Sequence, residues 1–161
     1  MKRVFTFILI LISFKTFSQE LNIGGNLGIC PIYLGMFIIG GTLEYKPEKP
    51  IISINTDPNI IFYKDRIVLT EPIYLKLNIG NRLRFCPTFG AFIRSGSSYG
   101  WSIGLNVEYK IKEKLILFMK GELDKDFWKD QYPNHFGGST EYINSGYSLW
   151  IGFGIKKNIL H

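Results

Sequence analysis

One run of residue types that could support nucleophilic catalysis is His135-Phe-Gly-Gly-Ser139-Thr-Glu141. His135 could act as a base towards Ser139, and Glu141 could orient the imidazole. The run lies in a long polar segment between two strand patterns, and a loop is a poor platform for a preorganised triad. We therefore expect solvated loop residues, no catalytic residue and no enzymatic activity.

Metal-ligating residues are too sparse for a usual site. The two histidines, His135 and His161, are too few for a usual zinc site. Asp124, Asp126 and Asp130 lie close together, but their run lacks the glycine and the terminal glutamate of a calcium-binding loop. The sequence also has no phosphate-cradling loop. We expect no metal and no cofactor.

The segment 125–146 is rich in aromatic residues, and exposed aromatic rings on a loop favour recognition of a partner. We single out four of them as possible recognition residues of this loop: Trp128, Tyr132, Phe136 and Tyr142. The alternative, which the sequence leaves equally open, is that these rings fold over the end of the domain.

The elements that position these residues are β-strands, because the hydrophobic pattern has a period of two. Apolar residues alternate with polar or small ones in five segments: 21–29, 72–80, 83–94, 101–110 and 147–156. Weaker patterns at 36–46, 51–57 and 115–124 complete a predicted set of eight strands.

The connections alternate in length. Those at 46–50, 80–82 and 111–114 are short and polar, as hairpin turns are. The longer ones lie between them, at 30–35, 58–71, 95–100 and 125–146. This alternation predicts an antiparallel up-and-down meander within one domain.

Residues 1–18 have the order of a secretory signal peptide. A basic start precedes an apolar run over residues 4–12, and Ser18 completes a small-residue cleavage site. Cleavage after Ser18 would remove three basic residues and no acid, which lowers the formal net charge from +6 to +3. No basic stripe remains, so we expect no nucleic-acid partner. The predicted domain is 19–161.

The composition fits one exported domain. With 161 residues and 46 % hydrophobic content, the chain can bury a core and is not disordered. A mean hydropathy of +0.09 is too low for a bundle of membrane helices. Cys30 and Cys86 could pair in an oxidising compartment. Because Cys86 lies within a strand pattern, we expect two unpaired small residues.

Eight alternating strands fit two barrels of opposite polarity. A soluble lipocalin-like barrel turns its apolar face inward around a ligand, whereas an outer-membrane barrel turns that face outward to lipid. The apolar face here is bulky almost throughout, and an eight-stranded barrel has little room inside. The other face carries glycines, which suit a crowded lumen: Gly24, Gly28, Gly40, Gly80, Gly90, Gly104, Gly152 and Gly154.

Aromatic residues favour the membrane barrel. Trp101 and Tyr109 lie on one strand at a separation of roughly 20 Å along the barrel axis, for a rise of ~3.3 Å per residue and a tilt of ~40°. With Tyr45 and Tyr147 they predict two aromatic girdles. The predicted lumen holds mixed charges that can pair and plug the barrel: Glu44, Lys76, Arg84, Glu108, Lys120 and Glu122. The predicted fold is an all-β, eight-stranded antiparallel up-and-down transmembrane β-barrel with both termini in the periplasm.

Several stretches resemble the small outer-membrane β-barrel proteins of Bacteroidetes-type bacteria. They are the signal ending Ser13-Phe-Lys-Thr-Phe-Ser-Gln19, and the stretches Pro72-Ile-Tyr-Leu-Lys-Leu-Asn-Ile-Gly80, Gly104-Leu-Asn-Val-Glu-Tyr-Lys110 and Ser148-Leu-Trp-Ile-Gly-Phe-Gly-Ile-Lys156. The resemblance implies an outer-membrane location, contact with outer-membrane lipid and lipopolysaccharide, and insertion by the barrel-insertion machinery. Family members usually end in an aromatic residue that this machinery reads, whereas this chain ends Asn158-Ile-Leu-His161.

The role expected on this basis is structural or adhesive, through the loops 58–71 and 125–146. The aromatic residues of the second loop could instead contact lipopolysaccharide. Two other functions stay open. One is a secreted lipocalin-like barrel that binds an apolar ligand. The other is a lipid A-modifying barrel enzyme, although similar deacylases use a His-x-Ser pair near the last strand, a spacing that His135 and Ser139 do not match.

Overall fold

The computed structural model describes residues 18–32, 35–47, 51–64, 66–96, 98–133 and 139–159, with backbone only at 18–19, 130–133 and 139–142. Strand-forming alternation produces nine β-segments in these residues. They are β1 (Ser18–Ile29), β2 (Met36–Pro47), β3 (Ile52–Thr56), β4 (Asn59–Tyr63), β5 (Arg66–Leu77), β6 (Leu83–Arg94), β7 (Ser98–Lys112), β8 (Leu115–Pro133) and β9 (Ser139–Asn158). The predicted signal peptide lies largely outside the described residues and stays a prediction.

The strands close into a ring. Apart from β3 and β4, which do not pair with each other, each strand pairs antiparallel with its neighbours in sequence, and β1 pairs with both β2 and β9. Because β3 and β4 both lie between β2 and β5, they count as one strand, and the ring has eight positions. The predicted eight-stranded antiparallel barrel is confirmed. Among the described residues, every strand of the ring has a partner on both sides, as a sheet in lipid requires, and only the ends of β8 and β9 beyond the ring pair with each other alone.

Two prolines explain the break between β3 and β4. The register is the same on both sides of it: Thr56 faces Leu43, Asn59 faces Gly40, and the Gly41 N–H donates to the Pro58 carbonyl at 3.0 Å. Pro58 and, on β5, Pro72, which follows the residue at the opposing register position, both lack an N–H, so ladder bonds are missing there. The Thr56 hydroxyl donates to the Pro72 carbonyl at 2.7 Å and replaces one of them. The interruption is therefore a loss of donors within one continuous strand.

Two segments that were predicted to be long loops consist largely of strand residues, so these two predictions are wrong. The segment 58–71 is instead β4, a tight turn at Lys64 with a φ of 49°, and the start of β5. The segment 125–146 continues β8 and β9, which stay paired as far as Pro133 and Ser139. An alternation of apolar and polar residues marks a strand only where one face of the sheet is apolar, a zone that we call the apolar belt. Beyond the apolar belt, backbone hydrogen bonds hold β8 and β9 together without such an alternation.

The two faces of the sheet have the polarity of a membrane barrel. Outward side chains are large and exposed, as in Phe89 (59 %) and Ile93 (69 %), whereas inward ones such as Glu44 (0 %) are polar and buried. Inward glycines make room for neighbours, since a Cβ at Gly90 would clash with the carbonyl of Ile73. Gly80 differs from the prediction because it lies in a turn with a φ of 107°. Among the described residues, no helix is long and apolar enough to cross a bilayer.

Aromatic rings lie outward near both rims. At one rim, Phe37 and Phe62 stack at 4.6 Å between ring centroids, and Lys125 Nζ lies 4.0 Å from the centroid of the Tyr147 ring. At the other rim, the Arg82 guanidinium carbon lies 5.3 Å from the centroid of the Tyr109 ring. We call the first rim the mouth end; here β1, β4, β6 and β8 end, and β2, β5, β7 and β9 begin. The second, where β1 begins and β9 ends, is the terminal end.

Candidate functional site

The lumen near the terminal end is filled by an ion network. Lys76 and Lys156 each contact both Glu44 and Glu108. Lys76 Nζ lies 2.6 Å from Glu44 Oε1, and Lys156 Nζ lies 2.5 Å from Glu44 Oε2 and 2.5 Å from Glu108 Oε1. The four side chains therefore form a closed square across the lumen, and all are nearly or fully buried.

Polar neighbours complete the coordination of this square. Arg84 lies 2.8 Å from Glu108 Oε2. The Ser53 hydroxyl and the Asn22 amide donate to the Glu44 carboxylate at 2.8 and 3.1 Å. Each buried carboxylate thus has several charged or polar partners, which is the condition under which buried charge is tolerated.

A second group fills the middle of the lumen. Lys120 Nζ donates to Asp57 at 2.9 Å and lies 3.4 Å from Glu122. The Asn55 amide donates to Asp57 at 2.9 Å, and the Thr42 hydroxyl donates to Asn55 at 3.2 Å. The network is continuous from strand β2 across the lumen to β8.

The buried charges of the lumen balance. Among the described residues, five buried cations face five buried acids: Lys46, Lys76, Arg84, Lys120 and Lys156, with Glu44, Asp57, Glu108, Glu122 and Asp124. The six predicted lumen residues are all among them, so this prediction is confirmed. These paired charges and their hydrogen-bonding neighbours fill much of the lumen, which is narrow in an eight-stranded barrel.

The mouth end has a different composition. Arg94, the last residue of β6, lies between two acids of β8: it contacts Asp126 and lies 2.5 Å from Asp124 Oδ2. The guanidinium carbon of Arg94 also lies 4.3 Å from the centroid of the Phe92 ring. The Trp150 indole N–H donates to the Ser148 hydroxyl at 3.1 Å.

A cavity of about 310 Å³ opens at this end. Its floor is the apolar cluster that includes Ile61 and Trp150, with Met36 and Val68 packed against it. Arg94, Asp126 and serines form the polar part of its wall. Its size is at the lower limit of small-molecule sites. An apolar floor beneath an ion pair suits a small ligand that has both an apolar body and a polar group.

Three of the four predicted recognition residues lie on strands β8 and β9, in a segment that was predicted to be a loop. Trp128 lines the cavity. A Cβ at position 146 would lie 3.3 Å from the Trp128 ring, so the glycine at this position makes room for the ring. Tyr132 is on β8 and Tyr142 on β9, where only their backbone is described. Phe136 lies outside the described residues.

The inner wall of the mouth was not predicted from the sequence. Arg94 and Trp150 both fall on the polar face of their strands. Trp150 is a large aromatic residue on that face, and this exception was the signal that could have located an apolar site inside the barrel. His135 lies outside the described residues, so the proposed triad stays untested.

Other reactive groups are not gathered into a site. Among the residues with described side chains, no three histidine, cysteine or acidic residues are grouped so that they could hold a metal ion. Cys30 and Cys86 are both free and buried.

Comparisons with known proteins show the fold. No family model and no curated protein matches the chain. Three solved structures are similar over most of their length. The de novo designed barrel TMB2.3 has a TM-score of 0.61 at 13 % identity, with 90 % of this chain and 98 % of that chain covered. A second structure, reported as de novo design of transmembrane beta-barrels, has a TM-score of 0.58 at 10 % identity, with 88 % of this chain and 97 % of that chain covered. Neisserial surface protein A (NspA) has a TM-score of 0.56 at 10 % identity, with 86 % of this chain and 94 % of that chain covered.

Proposed function

We propose that this chain is an integral outer-membrane β-barrel protein with a plugged lumen, whose termini face the periplasm. The observation that carries the proposal is the inverted polarity of the barrel. Apolar side chains such as Ile93 and Phe153 are exposed on the outside, while lysines and glutamates are buried inside. Water on that outer face would be unfavourable, since exposed apolar patches of this extent mark contact with lipid or protein.

The working part of the protein in this proposal is its mouth end, in a structural or recognition role. The closed, charge-balanced lumen argues against passage of solutes. In support, β8 and β9 extend to Pro133 and Ser139, and Trp128 contributes to an open cavity at the rim. An extracellular partner would meet these residues first. Lipopolysaccharide is the other candidate contact for the rim.

The two alternative functions have less support. A lipocalin-like carrier needs an apolar lumen, whereas here the central lumen is filled by Lys120 and its acidic partners. Lipid A chemistry would need a nucleophile activated by a base, and His135, the base that the sequence suggests, lies outside the described residues.

A depth-dependent substitution pair tests the membrane proposal. Leu105 lies near the middle of the outer face of β7, and Tyr109 lies at its rim. In lipid, an arginine costs about 2–4 kcal/mol at the midplane and about 0–1 kcal/mol near the interface. We expect Leu105→Arg to lose folding into lipid vesicles, measured by gel mobility with and without heating, while Tyr109→Arg retains most of it. Equal losses, or recovery of the mature wild-type protein in the soluble fraction without detergent, would overturn the proposal.

A further inference from the structure

Five cations gather at the terminal end of one side of the barrel. This terminal basic cluster consists of Arg82, Lys110, Lys112, Lys114 and Lys157. They come from the β5–β6 turn, the end of β7, the β7–β8 turn and the end of β9. Glu113 is the one acid in these segments, so the cluster and its acid carry a formal charge of +4.

Backbone pairing holds these residues together. The Lys110 N–H donates to the Arg82 carbonyl at 2.8 Å, and the Asn158 N–H donates to the Lys114 carbonyl at 2.9 Å. Leu115 pairs with both Lys112 and Lys157. The cluster is therefore a property of the rigid rim and does not depend on a long loop.

The cluster lies at the edge of the apolar belt. Leu117 and Ile155 face outward, and they are exposed and paired with each other. Lys157 follows Ile155 on the same outer face, one alternation closer to the rim. The Arg82 guanidinium lies over the Tyr109 ring, an aromatic residue of the kind that marks the boundary between hydrocarbon and headgroups. Cations at this height lie level with lipid phosphates.

The inside of the barrel does not neutralise the cluster. The lumen acids nearest to it, Glu44 and Glu108, are already occupied by Lys76, Lys156 and Arg84. Inside the mouth end, by contrast, Arg94 lies between two acids, Asp124 and Asp126. The inner charge distribution thus adds to the positive field at the terminal end.

We propose that the terminal basic cluster binds the headgroups of anionic phospholipids, such as phosphatidylglycerol, in the leaflet that the terminal end faces. The inference rests on the proposed membrane location and adds a lipid specificity to it. Cations near a membrane surface each contribute about 1 kcal/mol of attraction to anionic lipid, which is roughly a fivefold change in association per residue. Several adjacent cations at one rim select a local lipid shell.

The test uses the full-length mature barrel in phosphatidylcholine vesicles with a trace of spin-labelled phosphatidylglycerol or, in parallel, spin-labelled phosphatidylcholine. Electron paramagnetic resonance gives the fraction of each label held at the protein surface. We expect the wild type to favour the phosphatidylglycerol label at low salt, and to lose this preference in high salt because surface charges are screened.

A matched pair within one turn separates charge from structural damage. Lys112→Gln with Lys114→Gln should lower the phosphatidylglycerol preference by about 25-fold, a factor of five for each cation, while Glu113→Gln should raise it, since it removes the opposing charge. Both variants alter the same exposed turn, so a turn that is merely disturbed would shift both in the same direction, and that result would overturn the proposal. A wild type that inserts with no lipid preference refutes the lipid site alone. A protein that does not insert refutes the membrane location as well.

Discussion

Neutralising Glu108 is expected to destabilise the barrel strongly, because this carboxylate serves three cations at once. Its side chain is 1 % exposed, and it contacts Lys76, Lys156 at 2.5 Å and Arg84 at 2.8 Å. Glu108→Gln keeps nearly the same shape and removes the charge. Lys76 and Lys156 would then share Glu44 alone, and Arg84 would lose its acid.

The magnitude follows from what stays paired. Removing one partner of a buried ion pair costs about 3–5 kcal/mol, because the remaining charge is left in the interior. Lys76 and Lys156 keep their contacts with Glu44 at 2.6 and 2.5 Å, which places the expected loss near the lower limit, at about 3 kcal/mol. An exposed substitution such as Glu113→Gln should stay within about 0.5 kcal/mol.

Urea unfolding in detergent micelles, followed by tryptophan fluorescence, measures the free energy of unfolding of each variant. A second variant, Glu108→Gln with Arg84→Gln, removes the orphaned cation and should recover part of the loss. If Glu108→Gln unfolds as readily as Glu113→Gln and no more, the lumen network does not stabilise the barrel and the reasoning from buried charge is refuted.

Three further predictions follow from the packing and the strand ladder. Gly90→Ala should lower the free energy of unfolding by about 1–3 kcal/mol, because the new methyl group meets a backbone carbonyl. The control Gly121→Ala meets nothing within 4 Å and should be nearly neutral. Urea titrations compare the two variants, and equal losses would contradict the crowded lumen. Thr56→Val should cost about 0.5–1.5 kcal/mol by removing the donor that replaces a ladder bond, and an unchanged unfolding midpoint would show that this bond contributes nothing. Cys30 and Cys86 should react with maleimide in urea and stay unlabelled in the folded barrel, which mass spectrometry detects; rapid labelling of the native state would contradict their burial.

The strand boundaries show where sequence patterns stop being informative. The alternation predicts strand β6 over residues 83–94, and it forms over Leu83–Arg94, since its side chains alternate between exposed and buried along nearly its whole length. The predicted strand 115–124 is the first half of β8, which runs on to Pro133. Beyond the apolar belt, both faces of β8 and β9 meet polar surroundings. The backbone pairing of the two strands continues there, but the alternation of apolar and polar residues that reveals a strand in the sequence disappears.

The candidate sites divide in the same way. Glu108 and Lys120 were assigned to the lumen from the side of the strand on which they fall. Their distant partners could not be assigned, because Lys156 lies 48 residues from Glu108 and Asp57 lies 63 residues from Lys120 in the chain. Arg94 was missed as a site residue, since its two acids come from β8 and only the β6–β7–β8 register brings them to the same rim.

The sequence by itself determined that this chain forms strands, that they alternate up and down, and which face of each strand is apolar. These are local properties, since a side-chain period of two depends only on neighbouring residues. The tertiary structure decided how the ring closes, which buried lysine meets which glutamate, and where the cavity and the basic rim lie. The reason is that strand register and stagger around a closed barrel set the height of every residue, and these depend on pairings between distant segments.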